Sequence, residues 1–402
     1  MWFSQAAGEF QRRAATLIPR HLSRSVRIPR LWIMEIRLFQ SSCLHLPRTV
    51  KSRALAIPPS RPMATKKAIA QIVGRVPEVY DNAVAGGSVF YFPSTVETHA
   101  EAGTEFEIRL CPALLKKPIL PTPHFESDQP PSEHRPAHKD PFAPPFDPAL
   151  VVGELQNEEI EADHVFLLNK FSVVPHHFLM VTKEYESQTA PLTPGDLTHA
   201  YMTLIAARNA GKTMFAFYNC GDRSGASQPH KHLQFLPLSP EGAPIERLAR
   251  THVVEDISKP FSIQTLPYAN YVLRLPPTTS SQTPGELADT LVFAYLALLD
   301  LVVSAARHQP AERQELAPGP PSYNVLLTLE HIHLIPRAQE THTLKGTGEK
   351  LSINSLGFAG MLLVKCDEEM QAVKSAGVCS ILQDVGMLPV NIPSTTLNES
   401  DE

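Results

Sequence analysis

The 402-residue sequence is poor in cysteine, and its five (Cys43, Cys111, Cys220, Cys366 and Cys379) include no CxxC pair. That absence excludes a structural zinc site or dithiol motif of the usual spacing, and an odd, scattered set fits reduced thiols. Positive charge is not in surplus either: 36 Lys and Arg face 41 Asp and Glu, for a formal net charge of -5. A general nucleic-acid binder would carry a basic stripe over its folded part, so nucleic acid is not an expected partner. The longest apolar run, Leu291 to Ser304, is interrupted by Asp300 and preceded by Asp289. It is too short and too charged for a bilayer span and reads as a buried helix. No GxGxxG turn follows a strand and no βαβ alternation appears, which excludes a Rossmann domain. Aromatic residues make up only 7%, whereas 38 prolines imply many loops and extended segments.

Residues 1–62 stand apart as a basic leader. Arg12, Arg13, Arg20, Arg24, Arg27, Arg30, Arg37, Arg48, Lys51, Arg53 and Arg61 are opposed there only by Glu9 and Glu35. An Arg-rich, acid-poor start has the composition of a mitochondrial transit peptide. A disordered tail and a true start at Met63 are the other readings; the expected location is cytoplasmic, with a mitochondrial form as the alternative through this leader. From Pro118 to Pro148 runs a second irregular stretch whose density of proline forbids helix and central strand. It reads as a long, extended surface insertion, and its histidines (His124, His134, His138) lack ligand-like spacing. The expected organisation is the leader, an N-terminal catalytic half over 63–245 containing that insertion, a C-terminal half over 246–390, and a tail over 391–402.

Between these segments the pattern is regular. HVFLLNK (164–170) and HFLMVTK (177–183) read as apolar strands joined by a turn at Pro175. A helix follows with Thr193 as N-cap, Pro194 in its first turn, a buried stripe of Leu197, Tyr201, Leu204 and Ile205, and Gly211 as its stop. MFAFYN and HLQFLPL read as strands around a Gly/Ser loop. A helix over about 286–306, strands YNVLLTL, HIHLIP and GMLLVK, and a short helix over about 368–376 complete the set. Strands returning through short turns with few helices predict an α+β fold with antiparallel sheet.

The informative segment runs from Asn219 to Gln234, NCGDRSGASQPHKHLQ. Its small residues let backbone N–H groups approach anionic oxygens, as a phosphate nest requires. His230, His232 and Gln234 follow at period two, which on a strand places all three on one face. Two such imidazoles can bind metal, transfer protons, or attack phosphorus to form a phosphoramidate intermediate. Metal binding lacks a good third ligand, and a nearby amide such as Gln234 suits a charged phosphoryl oxygen. A pair of structural strand histidines is the bland alternative, against which the Gly/Ser loop weighs.

This segment resembles the histidine-triad superfamily, in particular the transferase branch that carries Gln at the third position. Galactose-1-phosphate uridylyltransferases share the pattern, but their CxxC zinc ligands are missing here. The diadenosine tetraphosphate phosphorylases (ATP adenylyltransferases) are similar over more of the chain, through NKFSVVPHHFLMVTKEYESQTAPLTPGDL and SINSLGFAGMLLVK. The resemblance implies a histidine-triad-like antiparallel sheet with flanking helices, internally duplicated, and His232 as nucleophile with His230 orienting it and Gln234 on the phosphate. It further implies phosphate contacts from Asn219 and from Gly225, Ala226, Ser227 and Gln228. Nucleotide contacts would come from Asn169, Lys170 and His177, a phosphate contact from Lys117, and the remaining substrate contacts from Asn354, Ser355, Leu356, Met361 and Lys365.

The implied reaction cleaves diadenosine tetraphosphate with inorganic phosphate to ADP and ATP. Mg²⁺ is the expected cofactor, held mainly by substrate oxygens, since no carboxylate cluster in the sequence announces a protein-built metal site. A second HxH, His331 and His333, lacks a Gly/Ser cradle and reads as the degenerate partner in the duplication. Hydrolysis of the same substrate, transfer from sugar nucleotides or adenylyl sulfate, and non-catalytic nucleotide sensing are the competing readings.

Overall fold

Alternation of apolar and polar side chains dictates strands, and here it builds one wide sheet that separates two different cores. The computed structural model describes residues 61–116, 140–156, 162–310 and 320–390. The leader thus lies outside the described residues, except for Arg61 and Pro62. In chain order the elements are α1 (Arg61–Ala85), β1 (Phe90–Tyr91), β2 (Thr95–Glu101), β3 (Thr104–Leu110), β4 (Val151–Leu155), β5 (His164–Leu168), β6 (Phe171–Ser172) and β7 (Phe178–Thr182). Then come α2 (Pro194–Asn209), β8 (Met214–Cys220), β9 (His232–Pro237), α3 (Pro244–Thr251), β10 (Tyr271–Arg274), α4 (Pro284–Arg307), β11 (Tyr323–Leu327) and β12 (His331–Pro336). The chain closes with β13 (Thr341–Thr343), β14 (Lys350–Ser352), α5 (Ser355–Phe358), β15 (Met361–Val364), α6 (Asp367–Ala376) and α7 (Val378–Val385).

The main sheet has eight strands in the order β10-β12-β11-β8-β9-β7-β5-β4, and every pairing in it is antiparallel. A mixed α and β fold with antiparallel sheet is therefore what forms. Parallel pairing occurs only outside it, between β1 and β6 and between β15 and β3. Along β9, Leu233 and Phe235 enter the core under α1, α2 and α4, whereas Leu236 enters the opposite core with α7 and β15. His232 and Gln234 share the face of Leu236 by strand alternation. On that face a third, smaller cluster (Val165, Leu167, Leu179, Val181) is covered by Phe142 and Phe146. The catalytic candidates thus sit between two apolar patches.

Helices α2 and α4 open alike, on Thr193-Pro-Gly-Asp196 and Thr283-Pro-Gly-Glu286, and each forms a complete capping box. Both reciprocal bonds satisfy donors that the first helical turn would otherwise leave unpaired. The apolar run of the sequence is the middle of α4, a helix of 24 residues that by length and apolar content alone could cross a membrane. Its stripe of Leu287, Leu291, Ala294, Tyr295, Leu298 and Val302 is instead buried against the sheet. Among the elements that escaped the sequence reading are two helices: Pro77 lies inside α1 and masks it, although Ile69, Ile72, Val73, Val76 and Tyr80 keep helical spacing, and α3 is only two turns long.

One detail matters for the site: the C-terminal end of the Pro-rich stretch runs over the face of the sheet, with Phe142 and Phe146 half-buried. Residues 140–148 fold back onto the sheet, because Phe142 and Phe146 bury apolar area that β5 and β7 expose. The rest of the stretch, with His124, His134 and His138, lies outside the described residues.

Behind the sheet a buried ion-pair network ties α2 to the strands. Asp196 accepts from His164 Nε2 at 2.9 Å, from Lys231 Nζ at 2.6 Å and from the Thr193 backbone N–H at 2.8 Å. Burial opposes the charge, but His164 and Lys231 outweigh it and hold the Asp196 carboxyl below the usual carboxylate range. A depressed carboxylate stabilises the fold above its unfolded pKa, and that contribution is lost as pH falls through the folded value. Asp196→Asn should cost up to about 3–5 kcal/mol at neutral pH, by leaving buried Lys231 only the half-exposed Glu186, 3.0 Å away, as its counter-charge. The difference from wild type in denaturant unfolding should shrink on acidification, and an equal cost at all pH values would contradict the assignment.

Candidate active site

Strands β8 and β9 pair from Met214↔Pro237 to Phe217↔Gln234 and then part. Their main-chain groups beyond that point need other partners, since unpaired buried amides are costly. The side chain of Gln188 fills the gap. Its Oε1 accepts the backbone N–H of His232 at 2.8 Å, and its Nε2 donates to the carbonyls of Asn219 at 2.8 Å and His232 at 3.3 Å. One buried amide therefore replaces three rungs of the ladder exactly where the two motif ends must separate to admit a ligand.

His232 is buried, and its Nδ1 lies 2.8 Å from the main-chain carbonyl of His230. A carbonyl can only accept, so Nδ1 carries the proton and Nε2 keeps its lone pair. Burial pushes the imidazole down to about 4, partly opposed by that same hydrogen bond. The ring is therefore neutral near pH 7, with one nucleophilic nitrogen of defined direction. His230 itself precedes β9, which begins at His232, and it joins the sheet only through a bridge to Ser187. The sequence expectation of three side chains on one regular strand is corrected accordingly: the parted ladder takes His230 out of the strand. Its Nε2 donates to the Thr182 carbonyl at 2.8 Å, and its Nδ1 faces Asp140 Oδ2 at 2.8 Å.

Gln234 is oriented through a relay. Asn169 Oδ1 accepts from the Phe171 N–H, which turns its Nδ2 toward His177 Nδ1 at 2.9 Å. An amide nitrogen can only donate, so His177 Nδ1 accepts and its Nε2–H donates to Gln234 Oε1 at 3.1 Å. Burial holds His177 at about 4, with the Gln234 bond opposing, so this ring too is neutral. With Oε1 engaged, the donor end of Gln234 is directed away from His177.

The loop between the strands is braced from the C-terminal part of the chain. Asn219 Oδ1 accepts from Asn324 Nδ2 at 2.8 Å and from the N–H and Oγ of Ser355 at 2.9 and 2.7 Å. Gly225 adopts φ 77°, and a Cβ there would lie 2.6 Å from the Ile353 carbonyl and 2.8 Å from Asn354 Cβ, so glycine is required. Arg337, fully buried, donates Nη1 to the Ser224 carbonyl at 3.2 Å and to Asn324 Oδ1 at 2.6 Å. Its Nη2 and Nε bind the carbonyls of Gln339 and Val385. Burial pushes this guanidinium down to about 9. Among the described residues, no protein acceptor takes the N–H groups of Gly225, Ala226, Ser227 or Gln228, which leaves the loop able to bind an anion.

Other sequence candidates fall at varying distances from this centre. Asn354 caps α5 through the Leu356 N–H and packs against Gly225, and Ser355 is bound to Asn219. Lys170 is exposed, with its amine over the Phe90 ring at 6.0 Å. Met361 is a core residue of β15, and Lys365 at the end of that strand pairs with Glu369 at 3.8 Å. Lys117 lies outside the described residues.

The second HxH faces the same side of the sheet and has its own partner. His331 Nδ1 and His333 Nε2 approach the two oxygens of buried Glu246 at 2.9 and 3.1 Å. The sequence showed no such set, because Glu246 lies 85 residues before His331. These three groups are close enough to hold a metal ion. Arg274 decides against a vacant ligand there: its Nε donates to His331 Nε2 at 3.0 Å, so that nitrogen accepts and Nδ1 must carry a proton, given to Glu246. The cluster is satisfied by hydrogen bonds.

Comparison with known proteins shows the family. Residues 63–251 match the Ap4A phosphorylase N-terminal domain, and residues 264–388 match the ATP adenylyltransferase C-terminal domain. The chain belongs to the Ap4A phosphorylase family. It is 33% identical over 316 residues to diadenosine tetraphosphate phosphorylase 2 of Saccharomyces cerevisiae, covering 74% of this chain and 89% of that protein. Identity to Protein APA1 of the same yeast is 30% over 341 residues, or 83% of this chain and 98% of the relative. The crystal structure of a yeast Ap4A phosphorylase in complex with AMP is similar with a TM-score of 0.64 at 27% identity, over 80% of this chain and 98% of that one. For the same yeast protein in complex with Ap4A the TM-score is 0.62 at 26% identity, covering 79% and 98%.

Within this member of the Ap4A phosphorylase family, Gln188, Asp140, Arg337 and Asn324 are site residues that sequence reasoning did not find. A lone Gln, Asp, Asn or Arg far away in the chain carries no local signal. Replacing Gln188 by Leu strands the His232 N–H and two carbonyls. It should destabilise the protein by at least about 2 kcal/mol and misplace His232. Unfolding curves together with Ap4A turnover check this, and wild-type values for both would refute the bridging role.

Proposed function

We propose that this chain is a nucleotidyltransferase that cleaves Ap4A with inorganic phosphate to ADP and ATP through an adenylyl-histidine. The observation that carries the reading is the neutral, buried imidazole of His232, its Nδ1–H held by the His230 carbonyl and its Nε2 left as the nucleophile beside an unfilled N–H cradle. In the first step Nε2 bonds to the α-phosphorus, the bond from that phosphorus to the bridging oxygen breaks, and ATP leaves. In the second an oxygen of inorganic phosphate attacks the same phosphorus, the P–N bond breaks, and ADP is released from a regenerated His232. Splitting one displacement into two lets a single site serve both acceptors.

Gly225 to Gln228 bind phosphoryl oxygens through main-chain N–H groups, and the amide of Gln234 donates to a non-bridging oxygen as charge develops. Asn169 and His177 orient that amide and border the nucleotide, with Lys170 at the rim. Asn219, Asn354 and Ser355 brace the cradle. Lys117, Leu356, Met361 and Lys365 are assigned as further substrate contacts by resemblance alone. Because Gln234 does not titrate, it offers water no general base, which favours an anionic acceptor over hydrolysis. Asp140 spends both carboxylate oxygens on protein donors. Mg²⁺ is accordingly proposed to ride on the polyphosphate and to neutralise its charge.

The same reading makes the fold a histidine-triad-like, duplicated one. A strand, a helix opening on Thr-Pro-Gly-Asp/Glu-Leu and a hairpin with HxH at the start of its second strand occur twice, as β7-α2-β8-β9 and β10-α4-β11-β12. The hairpins meet at β8 and β11, where Asn219 is paired with Asn324. The second copy gives up chemistry and supplies Arg337 and Asn324 to the cradle of the first.

The test incubates the protein and His232→Ala with Ap4A and Mg²⁺, with and without phosphate, and separates the nucleotides. ADP plus ATP, formed only with phosphate and only by wild type, is the expected result. AMP plus ATP irrespective of phosphate identifies a hydrolase and sinks the role given to Gln234. Since His232 stays neutral down to about 4, the rate of adenylyl-enzyme formation should hold from about pH 8 to about pH 5 and fall only below that. An acid limb near the ordinary histidine value of about 6.5 would show a solvated nucleophile instead.

A further inference from the structure

The turn before β4 carries a carboxylate for which the two chemical steps have no use. Asp140 divides its oxygens between two donors: Oδ2 faces His230 Nδ1 at 2.8 Å, and Oδ1 accepts the backbone N–H of Phe142 at 2.8 Å. The second bond closes an Asx-type turn. That turn lays the Phe142 ring with its centroid 4.9 Å from that of His232 and 6.2 Å from that of His230. His230 is gripped at its other nitrogen by the Thr182 and Glu184 carbonyls and by Thr182 Oγ1. Its own carbonyl is the acceptor for the His232 Nδ1–H. A continuous path therefore runs from Asp140 through the His230 ring to the carbonyl that fixes the nucleophile's tautomer.

We propose that Asp140 is a positioning residue for phosphoryl attack: one oxygen sets His230, and with it the acceptor of the His232 proton, while the other folds Phe142 over the nucleophile. This rests on His232 being the nucleophile. When Nε2 bonds to phosphorus the ring becomes cationic, and the positive charge is shared with the Nδ1–H that points at the His230 carbonyl. The Asp140 carboxylate favours that charge on His232 and offsets part of the opposing, larger effect of the His230 ring between them. Phe142 meanwhile covers the imidazole, and excluding water from the site strengthens these interactions and protects a labile P–N bond. A residue that served only as a tether would alter stability or substrate affinity. A positioning residue alters the rate of adduct formation at saturating substrate.

The experiment measures single-turnover adenylylation of the full-length protein by Ap4A in wild type, Asp140→Ala, Asp140→Asn and His232→Ala, with melting temperatures in parallel. Asp140→Ala should slow adduct formation at saturation about tenfold to hundredfold, the range for losing a hydrogen bond to a charged group. The half-saturating Ap4A concentration should change by no more than about threefold, within the factor that context alone contributes. Asn keeps one acceptor and loses the charge, so Asp140→Asn should melt like wild type and fall between wild type and Ala in rate. If Asp140→Ala does not fold, the Asn variant carries the comparison. Wild-type rates in the folded variants, or a loss confined to half-saturation, overturn the proposal. Failure of wild type itself to form an adduct absent from His232→Ala overturns the underlying reading, and needs no Asp140 variant to be seen.

Discussion

Two neighbouring strands that stop pairing before their ends create the site, and the amide of Gln188 makes that separation tolerable. A ladder continued past Phe217↔Gln234 would seal His232 against β8. Strands that parted without a substitute would leave main-chain groups unpaired inside the protein. The buried amide satisfies the His232 N–H and two carbonyls at once, so the loop from Cys220 to Lys231 is free to take the shape an anion needs. Every later feature (the tautomer of His232, the turn at Gly225, the exit of His230 from the strand) presupposes that bridge.

Charge is distributed in keeping with it. The proposed nucleophile His232 and the ring of His177 that orients Gln234 are neutral, and the formal charges lie behind or beside them. Lys231 and Asp196 are buried with His164 under α2, Glu246 is locked to the second histidine pair, and Arg337 presents a cation to five neutral acceptors. Such an arrangement rigidifies the frame, and Arg337 polarises the Ser224 carbonyl at the edge of the cradle.

Much of this was legible in the chain. Antiparallel hairpins, the caps of α2 and α4, and the Asn219–Gln234 segment follow from period-two alternation, capping chemistry and small-residue loops, which are local rules. What was not legible depends on separation. Gln188 meets His232 across 44 positions, Asp140 meets His230 across 90, and Arg337 meets Ser224 across 113. No local propensity encodes those meetings. Nor does proline density in the 118–148 stretch tell that Phe142 and Phe146 within it pack on the sheet.

The dependence of the cradle on residues 322–355 has a consequence during synthesis. Asn219 is held by Asn324 and Ser355, and Ser224 by Arg337, so the imidazole leaves the ribosome roughly a hundred residues ahead of the parts that brace its loop. A nascent or truncated chain ending before Ser355 carries the reactive histidine in an unfinished pocket. The brace is complete only once Ser355 has joined Asn219.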